Sequence, residues 1–67
     1  MSMKLRRWIE RSDYKNVVDF ARAANVSAYV VYSALKGQRI AGSTAEKINK
    51  ATNGKVRVAD LVLGRAA

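Results

Sequence analysis

Two runs with helical apolar spacing meet at Asn25-Val26-Ser27, and neither a proline nor a polar loop separates them. In the first run Val17, Phe20, Ala21 and Ala24 recur at i, i+3, i+4 and i+7, which is one stripe of a helix. Asparagine enters the left-handed region more readily than any residue except glycine. Asn25 therefore ends the first helix and swings the chain into a second, capped by Ser27 and running to about Leu35 before Gly37. A pair of helices joined by so short a turn must cross at a steep angle. The spacing fits that crossing: small Ala21 faces the second helix, Asn25 follows four positions later, and branched Val31 sits six beyond it as a wedge.

The rest of the chain reads as helices around this pair. Met3 to Glu10 sets Leu5, Trp8 and Ile9 on one side of a helix that ends near Ser12-Asp13, and Asp13 or Asn16 is placed to cap the next. Ser43-Thr44-Ala45-Glu46 has the S-x-x-E pattern of a capping box. A fourth helix is expected from there to Thr52, with Ala45, Ile48 and Ala51 or Thr52 inward and Asn53-Gly54 ending it. Val56 to Leu63 fits a short fifth helix or turn led by Leu61 and Val62, although Val56-Arg57-Val58 alternates as an extended segment would. The expected fold class is all-α, a compact single domain of four to five helices spanning residues 1 to 67.

A chain of 67 residues has one small core, and with no cysteine and no histidine it lacks disulfides, thiol nucleophiles, the commonest zinc ligands and the usual general base. Five dispersed carboxylates make no acid-base pair, so neither an enzyme, a cofactor nor a metal site is expected. Thirteen Lys and Arg against five Asp and Glu leave a net charge of +8, which any polyanion attracts. No apolar run reaches the roughly 18 residues of a membrane span, and Met1 to Arg11 lacks the apolar stretch of a signal peptide. A cytoplasmic protein with no membrane partner and no small-molecule ligand is expected, in the bacterial cytoplasm or nucleoid. Between Phe20 and Ala45 there is no acidic residue, while Arg22, Lys36 and Arg39 fall in that span.

The stretch "ARAANVSAYVVYSALKGQRIAGSTAEKINKATNGKVRVADL", residues 21 to 61, resembles the lambda-repressor-like (Cro/CI, XRE) helix-turn-helix family, and is closest to its small YdaS/Cro-type phage regulators. The continuation "KINKATNGKV" makes the likeness more specific than the helix pair alone. Three positions depart from the family pattern: Asn25 replaces a turn glycine, Ala41 a common proline, and Val17 a Gln or Thr that touches the DNA backbone. The resemblance implies a lambda-repressor-like DNA-binding domain with its helix-turn-helix at about 17 to 36 and its third helix in the major groove. The base-contacting positions it implies are Ser27, Ala28, Tyr29, Tyr32, Ser33 and Lys36. A helical wheel independently separates 28, 29, 32, 33 and 36 from the apolar stripe 31, 34 and 35. Phosphate contacts are expected from Lys36, Gln38 and Arg39, then from Asn16, Lys15 and Arg22.

The implied function is a sequence-specific regulator of transcription, a Cro-like phage or prophage repressor. Its partner is a pseudo-palindromic double-stranded DNA operator, bound as a homodimer that can form on the DNA alone, with Val62 and Leu63 as the dimer surface. The alternatives are an antitoxin-type autorepressor and a basic protein-interaction module that docks an acidic partner. Lys47, Lys50, Lys55 and Arg65 are expected only to be solvated, and Trp8 to pack in the core.

Overall fold

Phe20 has no solvent exposure and lies among the residues that close the core: Leu5, Ala21, Val31, Ala45, Ile48, Val56 and Leu61. In the computed structural model, which describes residues 3–65, these side chains come from five helices and the turn before the last. The helices are α1 (Leu5–Arg11), α2 (Val17–Ala24), α3 (Ala28–Leu35), α4 (Gly42–Ala51) and α5 (Val58–Val62). All are short, so their stability comes from burying one apolar stripe each rather than from intrinsic helix propensity. The pairs α2 with α3, α2 with α4, α4 with α5 and α1 with α3 pack together, and the molecule measures 26 × 24 × 19 Å.

Four of the helices end in the same way. A residue of positive φ follows α2 (Asn25, 61°), α3 (Gly37, 85°), α4 (Asn53, 54°) and α5 (Gly64, 75°). After α2 the Val26 N–H reaches back to the Ala21 carbonyl at 3.0 Å and the Asn25 N–H to that of Arg22 at 3.2 Å. Gln38 to Ser33, Gly54 to Asn49 and Arg65 to Asp60 repeat the long reach at the other three ends. These are Schellman motifs, which satisfy the last carbonyls of a helix and let the chain leave it sharply. Asn25 thus occupies the left-handed conformation expected of it. Replacing it with valine puts a β-branched side chain where such residues are outliers, at a cost of about 1–3 kcal/mol, whereas glycine is neutral or slightly stabilising. Thermal melts of Asn25→Val and Asn25→Gly check the pair, and equal melting temperatures would refute it.

Helix α1 ends without a left-handed residue. The Ser12 hydroxyl donates to the Ile9 carbonyl at 2.7 Å and accepts from the Tyr14 N–H at 3.3 Å. That turn sets Tyr14 against Trp8 and Phe20, with ring centroids 6.1 and 5.7 Å away. Trp8 lies half-buried on Phe20 at 5.4 Å, so it covers the core from outside while Leu5 and Ile9 enter it. Of the two candidate caps for α2, Asn16 is the one used, accepting from the Asp19 N–H at 2.9 Å.

Helix α4 starts earlier than its S-x-x-E pattern predicts. Ala41 is the N-cap, extended at φ −64° and ψ 148°, and its carbonyl already accepts from the Ala45 N–H at 2.9 Å. Ser43 is consequently an exposed residue inside the first turn, and no capping box forms with Glu46. The cause is tertiary. The Ile40 N–H donates to the Leu61 carbonyl at 3.4 Å and Ile40 packs against the core, so α5 decides where the chain turns before any serine is available.

The far end of α4 is held by a polar latch. Thr52 is fully buried, donates to the Asn49 carbonyl at 3.1 Å, and accepts from the Val56 N–H at 3.2 Å. The Asn49 side-chain amide meanwhile donates to the Val56 carbonyl at 2.8 Å. Both backbone groups of a buried residue are therefore satisfied by α4, and Val56 turns inward ahead of α5 rather than forming an extended strand. Thr52→Val keeps the shape but orphans the Val56 N–H, an expected loss of about 1–3 kcal/mol. A melting temperature within a degree or two of the parent would contradict it.

Candidate nucleic-acid interface

Helix α3 has two distinct sides. Val31, Ala34 and Leu35 are buried, while Tyr29, Tyr32 and Lys36 are exposed. Ser27 is the N-cap, its hydroxyl accepting from the Val30 N–H at 3.2 Å. Tyr29 is 78% exposed and Tyr32 47%, high values for side chains that contribute so much apolar area. Ser33 is half-buried, and Ala28 leans onto the edge of the core, which limits how far it can serve the outer face.

The expected phosphate-contacting residues Lys15, Asn16, Arg22, Gln38 and Arg39 are all exposed. Lys15 and Asn16 lie at the start of α2 and Arg22 in its last turn, whereas Gln38 and Arg39 form the turn after α3. The Asn16 oxygen is engaged as a cap, so any outside contact falls to its amide nitrogen. Lys15, Arg22, Lys36 and Arg39 have no ion-pair partner among the described residues, and Arg22, Lys36 and Arg39 fall in a stretch, residues 21–44, that holds no carboxylate. Lys47, Lys50 and Lys55 are exposed as expected, but Arg65 is more than solvated, pairing with Asp60 at 3.4 Å.

Tyr29, Ser33, Gln38 and Arg39 line one shallow depression, together with Val30, Ile40, Ala41 and Thr44. Tyr32, Lys36 and Ser27 lie outside it. Thr44 escapes a reading of the sequence because the capping-box pattern puts it inside the wrong boundary. In the structure it belongs to the first turn of a helix with no side-chain cap, beside the α3–α4 turn. The arrangement offers aromatic rings, hydroxyls and unpaired cations on one side of α3, which suits non-covalent contact with a polyanion.

No family model matches the chain, and neither does any curated protein or solved structure. Among the described residues no helix is long and apolar enough to cross a membrane.

Proposed function

We propose that this protein is a sequence-specific, double-stranded DNA-binding regulator of transcription, a Cro-like repressor of the lambda-repressor-like kind that reads the major groove with α3. The observation that carries the reading is the outer side of α3. A short rod, anchored through Val31 and Ala34 and joined to α2 by left-handed Asn25, holds Tyr29 and Tyr32 outward, with Lys36 and Arg39 following and no acidic residue between Phe20 and Ala45 in the sequence. In a helix-turn-helix the second helix enters the groove while the first crosses the backbone, and here those would be α3 and α2.

A single module of this size buries roughly 600–1,000 Å² of its own surface on DNA, which favours a two-fold dimer on half-sites about 34 Å apart. Leu63, 52% exposed beside half-buried Val62, is the apolar surface suited to that dimer.

Selection of bound duplexes from a random pool, followed by a salt titration on the winner, tests the proposal. Tyr29→Ala and Tyr32→Ala are expected to weaken the selected duplex more than random DNA, by about 1–3 kcal/mol. Lys36→Ala and Arg39→Ala are expected to weaken both and to reduce the salt slope by about one unit each. If no duplex is enriched, or if binding to an acidic protein persists in half-molar salt while DNA is ignored, the chain is an interaction module instead.

A further inference from the structure

We propose that the outer face of α3 selects pyrimidine 5-methyl groups, so that thymine, or 5-methylcytosine in its place, is the base feature this protein reads. The inference rests on the DNA-binding function proposed above and specifies what that function recognises.

From Ser27 to Leu35 there is no Arg, Lys, Asn, Gln, Asp or Glu, so the helix lacks every side chain that pairs with a base edge through two parallel hydrogen bonds. The serines add little. Ser27 already caps the helix and Ser33 is half-buried. What α3 presents instead is chiefly ring carbon, from Tyr29 and Tyr32, one helical turn apart, each with its hydroxyl at the tip. Of the four large apolar side chains that are exposed among the described residues, two stand on this one face. Val30, Ile40 and Ala41 extend the apolar surface beside Tyr29 in a depression that Gln38 and Arg39 also line, with Lys36 outside it.

The major-groove edges of the bases carry a single apolar feature, the 5-methyl of thymine. An apolar protein face gains affinity only where it meets apolar surface. Each methyl it covers is worth about fourfold in binding, and two are worth on the order of fifteenfold. A hydrogen-bonding reader distinguishes T·A from C·G by donors and acceptors. A face of rings and methyls distinguishes them by the methyl, and so treats 5-methylcytosine as it treats thymine.

The test uses the tightest duplex from the random pool at one fixed salt concentration. Each thymine is exchanged singly for uracil, which removes the methyl and leaves every hydrogen-bonding group in place. At one or more positions the parent protein is expected to lose about fourfold. At those positions C·G should bind as weakly as U·A, and 5-methylcytosine should restore the loss. Tyr29→Ala or Tyr32→Ala should abolish the sensitivity, while Tyr29→Phe, which retains the ring, should keep it. Circular dichroism melts establish that each variant is folded.

Enrichment of a duplex with no uracil effect at any thymine would overturn the methyl readout and leave DNA binding standing. Unchanged uracil sensitivity in both alanine variants would also overturn it, since DNA flexibility rather than these rings would then be felt. Enrichment of no duplex at all would overturn both proposals.

Discussion

Phe20→Ala is expected to remove about half of the protein's stability at 25 °C. Removing a buried phenylalanine costs about 3–5 kcal/mol, the lost transfer free energy plus the cavity that remains. At about 0.05–0.15 kcal/mol per residue, a 67-residue chain has roughly 3–10 kcal/mol in total. The cost is therefore a large part of the whole, and Phe20 is one corner of a three-ring cluster with Trp8 and Tyr14, so its removal also strips both of those rings of a contact. Phe20→Leu refills most of the volume and gives up chiefly the ring contacts, so it should melt well above the alanine variant. Urea titration followed by Trp8 fluorescence measures both. A loss below about 1 kcal/mol for alanine would mean that Phe20 is not the centre of the core.

Gly64→Ala is the second large effect, and it arises in the backbone. At φ +75° a Cβ is already disfavoured, by about 1–2 kcal/mol. The same Cβ would stand 2.5 Å from the Gly37 carbonyl oxygen, and a backbone atom has no rotamer through which to escape. Gly37 is itself left-handed and ends α3, so the strain passes into the turn that carries Gln38 and Arg39. The combined cost is about 2–4 kcal/mol, a fall in melting temperature on the order of 10–30 °C. A parent-like melt would show that α5 does not press on that turn. Because any surviving fold must displace it, the proposed affinity for DNA, measured at low temperature, gives a second readout.

Much of this architecture is legible along the chain because its signals are local. The stripe Val17, Phe20, Ala21 and Ala24 marks α2, although Val17 itself is only half-buried. Asn25, Gly37 and Asn53 mark helix ends because a left-handed residue is a property of single positions. The two sides of α3 follow from 3.6-residue spacing. What escapes is what depends on residues distant in sequence. The start of α4 answers to the bond between Ile40 and Leu61 rather than to its own serine. Tyr14, lying between two helices, has no periodic pattern that would reveal it as part of the aromatic cluster. The resemblance matched "KINKATNGKV" as a string, but the reason for Asn49 and Thr52 within it appears only once Val56 is seen to be held by both.

The end of α4 also bears on how the protein ages in storage. Asn53-Gly54 is the pair most prone to spontaneous deamidation, in which the glycine nitrogen attacks the neighbouring side-chain amide, ammonia leaves, and the cyclic imide hydrolyses to aspartate or isoaspartate. Here that nitrogen is committed, its N–H donating to the Asn49 carbonyl at 2.8 Å. The motif that stops the helix thereby shields the chain from a slow loss of amide, and the reaction must wait for that turn to open.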